Sequence, residues 1–107
     1  WAVVQPHTFS RLQALWDSFR TCLKDADEAI ITDVYAARSR EVHGAADAMG
    51  LVAAIDHPAV RHIGVLTEVE AYLLDRLAPG DVLITLGAGD GYLIGERVLE
   101  ALRERTP

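Results

Sequence analysis

"VLITLGAGDGYLIGERVLEAL" (Val82–Leu102) passes from an apolar run through three glycines into a segment with Ile94, Val98 and Leu102 on one side. A short unbroken apolar run reads as a strand covered on both faces, and the 3.6-residue recurrence after it reads as a helix. We place the strand over 82–87 and the helix over Tyr92–Arg103. Gly87, Gly89 and Gly91 between them let the backbone approach a neighbour closely, and the helix start offers free N–H groups to an anion. The spacing is not the dinucleotide fingerprint, which needs glycine where Tyr92 stands, and Asp90 opposes a phosphate. A tight strand-to-helix turn and a ligand-touching loop both fit.

The same unit recurs upstream. Ala2–Gln5 is an apolar run closed by Pro6, followed by Leu12, Leu15, Trp16, Phe19, Cys22 and Leu23 at helical spacing. Ser10 stands where an N-cap belongs. Cys22, in that apolar pattern, reads as a small buried hydrophobe. "EAIITD" (Glu28–Asp33) reads as a second strand, 35–44 as a loop, and Ala45–Ile55 as a helix that Gly50 weakens by up to ~1 kcal/mol. "RHIGVL" (Arg61–Leu66) predicts a third strand, with Thr67 capping a helix over Glu68–Ala78 and "APGD" (Ala78–Asp81) turning into the fourth strand. Strand and helix alternating four times predict an α/β fold, a mostly parallel sheet with helices on both faces. In such sheets ligands bind beyond the carboxyl ends of the strands. That rule selects 5–11, 33–41 and 87–91.

The bulk numbers agree with one domain: 107 residues, half of them apolar, 24% charged. A net charge of −6 argues against a nucleic-acid protein. One cysteine excludes an internal disulfide and a Cys-based zinc site, and His43, His57 and His62 lack metal-ligand spacing and read as structural or surface residues. No signal peptide or membrane-length apolar run is present, so cytoplasm is the expected location. The chain opens at Trp1 inside an apolar run, from which we expect a first strand and helix to be missing.

The cluster "QPHTFSR" (Gln5–Arg11) carries more polar chemistry than a connector needs. A cation one turn into a helix opposes the helix dipole, so Arg11 makes sense facing an anionic ligand, with Thr8 donating and His7 donating or orienting; a capped helix with solvated neighbours is the alternative. Asp33, at a strand end, suits an amine or an arginine, and Tyr35 the wall of a pocket. No paired catalytic carboxylates and no nucleophile elbow occur, so no residue here is assigned as catalytic, and none as a metal ligand.

In order and spacing, "VVQPHTFSR", "DVYAAR" and "DVLITLGAGDGYLIGERVLEAL" closely resemble the C-terminal domain of the Mur ligases that join L-alanine to UDP-N-acetylmuramate, over Val3 to about Leu102. The "QPH" element discriminates among Mur ligases. The resemblance implies a Rossmann-like domain that closes over the site of a three-domain, ATP- and Mg2+-dependent peptidoglycan ligase. It implies that the cofactors are bound mainly by a central ATPase domain, and that L-alanine meets the acyl phosphate of UDP-N-acetylmuramate between domains. His7 and Arg11 fall on positions that contact the incoming alanine, Arg11 at its carboxylate. Thr8 departs from a second arginine common in the family, and Ser39 from an acidic residue. No G-x-x-x-x-G-K-[ST] loop is present, so this chain by itself is expected to be inactive. The alternatives are a tripeptide-recycling muramate ligase and a free-standing module that binds a small anion or a partner.

Overall fold

The structure is a computed structural model that describes residues 1–6, 16–33, 44–87 and 90–105, the side chains of 44–47 excepted. Within these residues four three-residue strands alternate with helices: β1 (Ala2–Val4), α1 (Trp16–Thr21), β2 (Ala29–Ile31), α2 (Gly44–Ala54), β3 (Val60–His62), α3 (Leu66–Arg76), β4 (Ile84–Leu86) and α4 (Tyr92–Arg105). The sheet runs β3-β2-β1-β4 and every pairing is parallel. The α/β fold expected from the alternation is therefore the fold observed.

Register explains which side chains meet. Val3 lies between Ile30 and Thr85, and Val4 between Ile31 and Leu86. Successive residues of a strand point to opposite faces. Ala2, Val4, Ala29 and Ile31 accordingly pack with Leu23, Ala48, Leu51 and Ile55, beneath α1 and α2. Val3 and Ile30 pack on the other face with Val69 and Leu73 of α3 and Ile94 and Val98 of α4. Stepping from β1 to β2 to β3 in one direction, then back across to β4, places the two helix pairs on opposite faces when crossovers are right-handed.

Four expectations need correction. The strands are shorter than their apolar runs, although the ladder continues past them: Gln5 N donates to Leu86 O at 2.8 Å and Thr32 N to Val4 O at 2.9 Å. Second, Cys22 is exposed. The described helix ends at Thr21 and a turn over 22–25 follows, carrying Leu23 into the core, where it is 4% exposed, and leaving Cys22 outside. Third, Thr67 is not a cap: α3 begins at Leu66, and its N-cap is Val65, in extended conformation without a side-chain cap bond. Finally, β4 is not covered on both faces. Thr85 turns toward α4, its Cγ2 3.8 Å from where a Cβ on Gly95 would be, whereas Ile84 and Leu86 are 53% and 46% exposed. On the α1/α2 face, no described helix extends over β4.

Smaller features follow the sequence. The "APGD" turn closes reciprocally, Asp81 N donating to Ala78 O and Ala78 N to Asp81 Oδ2 at 2.9 Å, with Gly80 at φ 92°. His57 is structural: Ala59 N donates to its Nδ1 at 3.0 Å, which makes Nε2 the protonated nitrogen facing Ala26 O at 2.7 Å. That imidazole ties the β3 approach to the turn before β2.

Candidate functional site

The order of strand addition reverses at β1. The strand's exit leads to the face carrying α1, while the exit of β4 leads to α4 on the opposite face. Between these two carboxyl ends lies the topological switch point, where open parallel sheets bind ligands.

Gln5 stands at this point. It follows β1 directly and is 6% exposed. Its Nε2 donates to Asp90 Oδ1 at 2.7 Å, and its Oε1 accepts the Gly91 N–H at 3.0 Å. Both ends of one buried amide are thereby used, as burial of a polar group requires. The glycine pattern has a local cause here. A Cβ at Gly87 would stand 3.1 Å from Gln5 O and 3.2 Å from Gln5 Cβ, and one at Gly91 would stand 3.1 Å from Gln5 Oε1. Gly87 and Gly91 let the β4–α4 connection lie against Gln5. Asp90, exposed at the start of α4, gives that end a carboxylate, which suits the helix dipole.

A second constellation stands one strand away. Asp33 lies two residues beyond β2, and its Oδ1 meets His62 Nε2 at 2.6 Å. Gly64 packs against the same carboxylate: a Cβ there would come within 2.6 Å of Asp33 Oδ2. Asp33 N also donates to Gly64 O at 3.4 Å. Because Thr32 is bonded to Val4, Asp33 enters its loop beside the exit of β1.

Of the residues singled out from sequence, the structure thus places Asp33, Gly87 and Gly91 at the carboxyl edge, in two groups on either side of β1. His7, Thr8, Arg11, Tyr35 and Gly89 lie outside the described residues. Two residues that sequence reasoning passed over also stand at the edge. Gln5 sits inside the "QPH" element, but its role depends on β4 being the neighbour of β1. His62 carried no ligand spacing, and only the β2–β3 register brings it to Asp33. Among the described residues no group of three metal-ligating side chains occurs, and Gly87 and Gly91 are occupied against Gln5. No described helix is long and apolar enough to cross a membrane.

No protein-family model matches the chain. Individual proteins do. It is 46% identical over 101 residues to the UDP-N-acetylmuramate–L-alanine ligase of Alkaliphilus metalliredigens, covering 92% of this chain and 22% of that protein. The ligases of the same name from a Roseiflexus species and from Clostridium beijerinckii are 44% and 40% identical over 96% and 94% of this chain, again 22% of each relative. The chain spans about a fifth of the length of the curated relatives it matches. At that identity over nearly all of its residues, the chain is homologous to a domain-sized part of the UDP-N-acetylmuramate–L-alanine ligases.

Proposed function

We propose that the chain is the C-terminal, site-closing domain of an ATP-dependent ligase that joins L-alanine to UDP-N-acetylmuramate in peptidoglycan synthesis, in the cytoplasm. The observation that carries the reading is its similarity to ligases of that name over more than nine-tenths of its length. The geometry at the switch point supports it: the buried Gln5 amide holds Asp90 and Gly91 beside the carboxyl end of β1.

The domain's work is positioning. Arg11 takes the alanine carboxylate through paired N–H bonds, His7 and Thr8 complete that contact, and Asp33 and Tyr35 border it. Gln5 holds Gly87 and Gly91 at the site's edge, in the loop that also carries Gly89. Orienting the amine against an activated carboxyl group supplies several kcal/mol of rate, on the order of 7 or more in well-aligned cases. ATP and magnesium, which supply that activation when bound, belong to the central domain, as does most of UDP-N-acetylmuramate binding. This chain alone is inactive in that reading.

The test is ligase turnover by the full-length protein with UDP-N-acetylmuramate, ATP, magnesium and L-alanine. Arg11→Ala should raise the alanine KM by at least about tenfold, the loss of one charge-assisted bidentate contact, and leave the ATP KM unchanged. A wild type without product would sink the ligase reading. An unaltered mutant would sink only the role of Arg11. A gene whose frame begins close to Trp1 would favour the free-standing module.

A further inference from the structure

We propose that His62 is a positioning residue. It fixes the Asp33 carboxylate so that the second oxygen, Oδ2, receives the ammonium group of the incoming amino acid. The proposal rests on the ligase reading above and names the half of the substrate that Arg11 leaves unrecognised.

Three contacts restrain Asp33. The imidazole Nε2 holds Oδ1 at 2.6 Å. Gly64 lies flush against the carboxylate, since a Cβ at that position would stand 2.6 Å from Oδ2 and 2.7 Å from Cγ and Oδ1. The Asp33 backbone N–H is itself bonded to Gly64 O. Such a carboxylate has little rotational freedom left. Its exposure is asymmetric: the His62 side chain is 21% exposed and that of Asp33 40%. The imidazole is tucked in and the carboxylate stays open to solvent. Among the described residues Oδ2 has no hydrogen-bond partner.

An exposed aspartate on a free rotor would be a poor recognition group, because ordering it consumes part of the binding energy. One whose first oxygen is tied and whose second is open has met that cost in folding. It offers an ammonium group a fixed, charged acceptor beside the exit of β1. The discrimination this gives is against small carboxylic acids. An arginine alone accepts any of them, whereas an acceptor for the amine rejects those that lack it.

The experiment uses the full-length ligase, measuring KM for L-alanine and ATP, kcat, and inhibition by propionate, which has the carboxylate without the amine. His62→Leu is expected to raise the alanine KM about tenfold, through loss of a charge-assisted contact. The propionate inhibition constant, kcat and the ATP KM should stay as in wild type. His62→Gln, whose amide N–H reaches the same oxygen, should recover most of the affinity. Gly64→Ala should act like His62→Leu, because its methyl group displaces the carboxylate. If His62→Leu does not fold, Asp33→Asn carries the same comparison. An unchanged alanine KM in an active enzyme overturns the proposal and leaves the ligase reading standing. Alanine and propionate weakening together overturns it too, since that marks general distortion. A wild type that makes no product overturns both readings.

Discussion

A single carboxamide, that of Gln5, ties the carboxyl end of β1 to the start of α4. It spends its donor on Asp90 and its acceptor on Gly91, and both glycines that approach it are spaced for its bulk. Gln5→Leu should lose about 1–3 kcal/mol of stability, because the buried Gly91 N–H is left unpaired; urea denaturation of the purified chain reads this. Gln5→Glu keeps the shape but sets an oxygen against Asp90 where a donor stood. Its loss should shrink in an Asp90→Asn background, where the like-charge contact is gone. An equal loss in both backgrounds would show that the Asp90 contact carries no weight. The residue types in this region were legible in sequence: a polar cluster after a strand and a glycine run before a helix. Their partners were not, since Gln5 and Gly91 meet only through the β1–β4 pairing, and no local periodicity encodes which strands are neighbours.

At the level of elements, apolar runs and helical spacing located the helices over 92–105 and 66–76 to within a few residues at each boundary, and the strands as cores of longer runs. The end of α1 and the start of α3 were misjudged because tertiary packing chose them. Leu23 turns inward through a turn and not through a longer helix, and Val65 takes the N-cap place without offering a capping oxygen. Gly50 remains an uncompensated cost in the middle of α2. Among the described residues a Cβ there would meet only Trp16 Cη2, at an ordinary 3.9 Å. Gly50→Ala should therefore stabilise the chain by about 0.5–1 kcal/mol, read as a raised thermal midpoint. A lowered midpoint would mean that α2 needs its glycine for packing against α1.

For the molecule as a whole, the unmatched surface is the open side of β4. Val82, just before β4, and Ile84 and Leu86 within it are 67%, 53% and 46% exposed, and among the described residues β4 has a neighbour on one edge only. Apolar strand edges of this kind promote association. The purified 107-residue chain is expected to self-associate as concentration rises in sedimentation velocity. The double substitution Ile84→Thr with Leu86→Lys should shift it toward monomer without disturbing the α3–α4 face. A wild-type chain that stays monomeric throughout, with a high unfolding midpoint, would contradict this.

The order β3-β2-β1-β4 also governs time. Among the described strands, β1 lies between β2 and β4, and Ala2 is paired with Ile84. During synthesis β1 can bond to β2 early, but its other edge stays vacant until more than eighty residues have left the ribosome. Pairings so distant in sequence close late and slowly. Among the described strands, the β1–β4 pairing is consequently the last to form. A nascent chain can hold a folded β1–β2 core well before β4 arrives beside Gln5.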